Sequence, residues 1–145
     1  MFFVVLAKTS YANTEVGKWN FVKDADYCYI GSYPTTLDIP EGKKRGDVYI
    51  LVYRINKSKD SIIQIQAGYP YDEEKTVDVK IDKMNYKFYP NEDSAWTDND
   101  SKVIYAMQRG IELKVTGHSK RGTKTTDVYT LNGFTAAFNK LTNDC

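Results

Sequence analysis

A chain of 145 residues has the length of one domain, long enough to bury about two thirds of its unfolded surface and to fold without a structural metal. Its 20 basic and 19 acidic residues leave a net charge of +1, which argues against a nucleic-acid partner, since that calls for a marked basic excess on one face. No stretch approaches the ~18 consecutive apolar residues of a membrane helix, so no transmembrane span is expected after processing.

The first element is the apolar run Phe2-Phe3-Val4-Val5-Leu6-Ala7, followed by Lys8-Thr9-Ser10-Tyr11-Ala12 with its small-x-small ending. We read residues 1–12 as the C-terminal part of a signal peptide cleaved after Ala12. A complete apolar region runs to about 7–15 residues behind a basic segment, so its beginning is expected upstream of Met1. An apolar N-terminal strand of a cytosolic protein is the alternative. The export reading makes residues 13–145 a single mature domain in the periplasm or outer envelope.

Beyond the leader most of the chain has strand character. Residues 19–22 and 27–32 are short aromatic segments separated by the turn-like Lys23-Asp24-Ala25-Asp26. Residues 34–46 hold two prolines, two glycines and the run Lys43-Lys44-Arg45, which predicts an exposed, solvated loop. Residues 47–54 are apolar at nearly every position, as in a central strand covered on both faces. Ile63, Ile65 and Ala67 alternate with Gln64 and Gln66 in a half-buried strand. Val77, Val79 and Ile81 then point inward, a tight turn falls at Asp82-Lys83, and Met84, Tyr86 and Phe88 share a face on the return strand. Trp96 is expected in a polar loop.

A first helix is expected from an Asp98 or Asp100 cap to Gly110, burying Val103, Ile104 and Met107. Ile111, Leu113 and Val115 alternate with Glu112, Lys114 and Thr116 in the clearest strand, and residues 123–131 form the last one. Asn132 is the expected cap of a second helix, whose Phe134, Ala137, Phe138 and Leu141 make one buried stripe. The fold class is therefore mainly β: an antiparallel β-sandwich or partly open barrel with two short α-helices in the C-terminal half. The second helix would carry Cys145 toward Cys28. Cysteines in an oxidising compartment pair by default; two free thiols are the alternative if the chain stays in the cytosol.

Several short motifs occur in a fixed order: Gly68-Tyr69-Pro70-Tyr71, Ala95-Trp96, Ala106-Met107-Gln108-Arg109-Gly110, Ser119-Lys120-Arg121-Gly122-Thr123, and Tyr129-Thr130-Leu131-Asn132-Gly133-Phe134-Thr135-Ala136-Ala137. Together they resemble the invasion-associated locus B family over essentially the whole mature chain, and the terminal cysteine fits. The resemblance implies an exported bacterial envelope protein, in a family named for host-cell entry whose members mostly have no established biochemical activity.

Catalytic chemistry finds little support. His118 is the single histidine, and on a strand it and Ser119 would face opposite ways, so they cannot act as base and nucleophile together. No Gly-x-Ser-x-Gly elbow nominates another serine. One histidine and two cysteines cannot supply a zinc set, and no acidic loop has calcium-hand spacing. No metal or other cofactor is implied. The carboxylates in Asp24/Asp26, Asp72/Glu73/Glu74, Glu92/Asp93 and Asp98/Asp100 keep company with turn formers and suit turns and caps. A pair of them across a cleft would instead make a carboxylate-dependent hydrolase of an envelope glycan or ester.

Binding chemistry concentrates at Ser119, Arg121, Gly122 and Thr123. There glycine allows a sharp turn with exposed N–H groups, and the guanidinium fork suits carboxylate or phosphate. A plain hairpin with Arg121 paired to an acid is the competing account. Tyr69, Tyr71 and Trp96 are the loop aromatics, expected either as a contact patch or as packing across the end of the core. These readings converge on a non-catalytic, periplasmic or envelope-associated interaction protein contributing to envelope integrity or host-cell entry. Its partner would be a protein or an anionic envelope component.

Overall fold

The computed structural model describes residues 18–55 and 58–145; the expected leader and its cleavage point lie outside them. Nine strands form one antiparallel sheet: β1 (Asn20–Lys23), β2 (Tyr27–Ser32), β3 (Tyr49–Ile55), β4 (Ile62–Gln66), β5 (Val77–Ile81), β6 (Met84–Asn91), β7 (Ser94–Trp96), β8 (Glu112–His118) and β9 (Lys124–Thr130). Helix α1 (Asp100–Arg109) connects β7 to β8, and α2 (Phe134–Asp144) ends the chain. The spatial order is β1-β2-β3-β4-β7-β6-β5-β8-β9. This is one continuous open sheet, the open-barrel form of the two expected architectures. It curls far enough that Thr36, just past β2, bridges to Val128 of β9, and the Trp19 indole Nε1–H donates to the Thr130 carbonyl at 2.8 Å.

Alternation along the strands explains the core. Ile30, Ile50, Val52, Ile63, Ile65, Val77, Val79, Phe88, Leu113, Val115 and Tyr129 all bury on the inner face. Val103, Ile104 and Met107 from α1 and Phe134, Ala137 and Leu141 from α2 complete the same cluster. Each large aliphatic or aromatic side chain buried there contributes about 1.5–3 kcal/mol of transfer free energy. Helix α2 docks on β1 and β2, with Trp19 edge-on to Phe134 at 4.9 Å. That docking brings Cys145 to Cys28, and the two form a disulfide with Cα atoms 5.7 Å apart.

Several local expectations are corrected. Helix α1 is capped by Asn99, whose Oδ1 accepts from the Lys102 N–H, rather than by Asp98 or Asp100. Asp100 instead accepts the Ile63 N–H at 2.9 Å, tying the helix start to β4. Helix α2 starts from Gly133 in the left-handed region, with no side-chain cap, while the Asn132 N–H donates to Thr130 Oγ1. Ile111 is 79% exposed; it precedes β8, where its N–H and that of Glu112 donate to the Asp82 carboxylate. Trp96 ends a short strand, β7, and packs edge-on to Tyr53 at 6.5 Å. The turn before β7 looked like open loop because Glu92 supplies its positive φ of 59° without a glycine.

Residues 34–46 are not a free loop. Asp38 Oδ2 accepts the Thr126 N–H at 2.8 Å, and the Gly46 N–H donates to the Gly68 carbonyl at 2.8 Å. Gly68 has φ +75°, and a Cβ there would lie 2.7 Å from the Gly46 carbonyl oxygen. Gly122 has φ +89° but open space around it. Gly122→Ala should therefore lose about 1–2 kcal/mol to left-handed strain, and Gly68→Ala about 1–3 kcal/mol more for the backbone collision. Urea midpoints of the two variants measure the difference, and equal midpoints would refute the close approach.

Candidate functional site

Beneath the tethered loop lies an ion pair whose arginine the sequence reading placed in solvent. The side chains of Arg45 and Asp127 are 2% and 5% exposed, and the guanidinium meets the carboxylate with two bonds of 2.7 and 3.0 Å. Its remaining N–H groups donate to the Asp38 carbonyl at 2.7 Å and twice to the Ala67 carbonyl, at 3.1 and 2.7 Å. All five guanidinium donors are thus used. Burial acts to lower the Arg45 pKa, but the hydrogen bond and attraction of Asp127 outweigh it, so the pKa lies above its ordinary value and the group stays charged. The Tyr69 ring lies 5.0 Å from the guanidinium.

Arg45 is thereby a fixed post on which a cleft is built. Three segments lie side by side: residues 40–46, residues 68–70 and residues 119–123. The Gly46 N–H to Gly68 carbonyl bond joins the first pair, and the Lys120 N–H to Pro70 carbonyl bond, 3.1 Å, joins the second. The resulting cleft of about 610 Å³ has thirteen lining residues, five of them basic and none acidic. Lys43 and Lys44 come to the cleft from residues 40–46, and Lys120 and Arg121 from residues 119–123. All four are exposed, and none makes a side-chain hydrogen bond or ion pair among the described residues. Arg121 is therefore not paired to an acid, as the plain hairpin account required.

The turn itself is closed inward. Ser119 N–H donates to the Thr123 carbonyl, Gly122 N–H to the Ser119 carbonyl, and Thr123 N–H to Ser119 Oγ at 3.1 Å. With the Lys120 bond, four of its five N–H groups are consumed. Of the exposed backbone donors expected there only the Arg121 N–H is left, and anion recognition falls mainly to the four side-chain cations.

The predicted aromatics separate. Tyr69 lies on the cleft floor, its hydroxyl 2.7 Å from Thr125 Oγ1, and burial raises its pKa above the ordinary phenol value. Tyr71 is 1% exposed and packs edge-on against Tyr69 at 5.4 Å, so it belongs to the core and not to a contact surface. A Cβ at Gly117 would meet the Tyr71 ring at 2.6 Å and the Tyr69 hydroxyl at 2.9 Å, so this glycine is what admits them. Trp96 sits apart on Tyr53. A smaller, mainly apolar groove of about 220 Å³, lined by Tyr27, Tyr29, Leu51, Tyr53, Ile55 and Gln64 with Asp26 at its edge, lies on the outer face of β2–β4; the sequence reading had not singled it out.

The candidate chemistry of catalysis is dispersed. Ser119 Oγ is engaged in its turn, and His118 is half-buried, its Nδ1 without a partner among the described residues. Asp72 accepts the Glu74 N–H, Glu73 the Glu92 N–H, Asp24 the Ala25 N–H and Asp93 the Gln66 side-chain amide. Among the described residues no group of three His, Cys, Asp or Glu is placed to hold a metal.

The family description "Invasion associated locus B (IalB) protein" matches residues 23–142, a span containing all three cleft segments. The chain belongs to the IalB family. Among solved structures it is similar to that of invasion associated protein B from Bartonella henselae, at 17% identity and a TM-score of 0.63, covering 88% of this chain and 93% of that one. No curated protein sequence matches. At that identity the similarity establishes a shared fold. Within this IalB chain, no helix among the described residues is long and apolar enough to cross a membrane.

Proposed function

We propose that this IalB protein is exported to the periplasm or outer envelope after cleavage of residues 1–12, and acts there as a non-catalytic interaction protein that holds an anionic partner in the basic cleft. The observation that carries this reading is the set of four unpaired cations, Lys43, Lys44, Lys120 and Arg121, lining a concave site with no acid in it. A surface cation is ordinarily neutral in its effect, but four of one sign in a recess focus the potential on an incoming anion. Of the carboxylates considered for hydrolysis, Asp24, Asp72, Glu73, Asp93 and Asp100 accept hydrogen bonds from backbone or amide N–H groups, which favours binding over turnover. A role in envelope integrity or host-cell entry follows from the partner rather than from chemistry on it.

Retention of the mature protein on washed bacterial envelopes tests the proposal. Arg121→Ala should weaken it by about 1–3 kcal/mol, roughly 5- to 150-fold, if its charge-assisted bonds reach the partner. The side chain has no partner among the described residues, so the unfolding midpoint should not move. Unchanged retention by the folded quadruple variant, with all four cations replaced by alanine, would overturn the cleft assignment. Hydrolysis of a glycan, ester or peptide, lost on changing one carboxylate, would overturn the non-catalytic reading.

A further inference from the structure

Resting on the cleft as an anion site, we infer that its ligand is a linear acidic polysaccharide, bound through charges spaced along its chain. Four features of the cleft point there. A single phosphate or carboxylate is best held by convergent backbone N–H groups, and the 119–123 turn has already used four of its five. The available donors are instead on long, rotatable stems, in two pairs, Lys43-Lys44 and Lys120-Arg121, that separate segments bring to one cleft. That arrangement matches several anionic groups in succession and wastes three cations on one group.

The concavity speaks against a flat anionic membrane, which would meet the rims and leave the floor uncovered. Single-stranded nucleic acid is disfavoured by the floor itself, since such sites present aromatic faces for base stacking. The Tyr69 ring has the Arg45 guanidinium 5.0 Å from its centroid and Tyr71 against it edge-on, and its hydroxyl is committed to Thr125. No other aromatic residue lines the cleft. What remains suits an uncharged sugar backbone carrying acidic substituents: small residues along the floor, Gly68 and Pro70, with the Thr123 hydroxyl and two pairs of basic side chains around them. Clusters of Lys and Arg are common to heparin-type and nucleic-acid sites, and the absence of a free aromatic face in the cleft lining separates the two.

The test titrates the mature chain with heparin-type oligosaccharides of increasing length, with inorganic sulfate and phosphate, with anionic phospholipid vesicles, and with a single-stranded oligonucleotide. Affinity should rise with glycan length until four charges are spanned. It should also fall on the order of 10²-fold between about 50 and 200 mM salt, by counterion release from a polyanion. Replacing Lys120 and Arg121 together by alanine should reduce the slope of log affinity against log salt by about two without changing the unfolding midpoint.

Inorganic sulfate or phosphate binding as tightly as the longest glycan would overturn the inference, as would a salt slope untouched by the double substitution. Vesicles or oligonucleotide held through the same four cations, with no glycan bound, would overturn the polysaccharide and leave the anion-capture reading standing. Loss of every cleft-dependent interaction would remove both.

Discussion

Asp127→Ala is expected to destabilise the domain by about 3–5 kcal/mol, the cost of leaving a buried partner charge uncompensated. Against a total stability of roughly 5–15 kcal/mol, that is about a fifth of the total or more. Arg45 would keep its bonds to the Asp38 and Ala67 carbonyls but lose the carboxylate that holds it charged. The Asp38 N–H, which donates to Asp127 Oδ1 at 3.0 Å, would lose its acceptor as well.

Arg45→Lys should also destabilise, since one ammonium carries three donors against the five in use. Urea denaturation of both single variants and the pair gives the coupling energy. A loss below about 1 kcal/mol for Asp127→Ala would show that the pair is not buried as described. The same variants separate scaffold from ligand: loosening residues 38–45 displaces Lys43 and Lys44, so polyanion affinity should fall although neither Arg45 nor Asp127 has a free charge to offer.

This pair marks where reading the sequence stops. Strand alternation is local, so the inner-face set from Ile63 to Val115 and both helix stripes could be read directly. Parity gives the face of a side chain but not where the core ends. Ile111 and Met84 have the right parity, yet lie at strand ends, 79% and 62% exposed. Caps were misassigned where neighbouring polar residues compete: Asp98, Asn99 and Asp100 all suit a cap, and the choice fell to Asn99 because Asp100 was recruited by β4.

The turn at residues 119–123 could be recognised locally. Its union with Lys43 and Lys44 could not, because it depends on the sheet curling until residues 34–46 reach β9. One signal was present. Asp127 shares the inward parity of Thr125 and Tyr129 in β9, and a carboxylate at a core position demands a cation. Nothing in Lys43-Lys44-Arg45, however, says which of the three answers.

Reducing the Cys28–Cys145 disulfide is expected to lower stability by about 2–4 kcal/mol while leaving the fold intact. The bridge closes a loop with a sequence separation of 117 residues, for which chain entropy alone allows roughly 4–5 kcal/mol, with measured bridges often falling short. Helix α2 should stay docked without it, because Phe134, Ala137 and Leu141 bury in the core, Phe134 packs on Trp19 and Arg54 lies over Phe138 at 6.0 Å. Denaturation with and without reductant is the direct measurement, since Cys28 is 2% exposed and a serine there would add a buried hydroxyl to the effect. Alanine at both cysteines provides the control, with a small extra loss for the vacated volume. If the bridge acts as a tether on the unfolded chain, hydrogen exchange in α2 under native conditions should quicken only as far as global stability falls. Exchange in α2 that far outpaces the rest of the protein after reduction would show that the disulfide, and not the apolar stripe, holds the helix on the sheet.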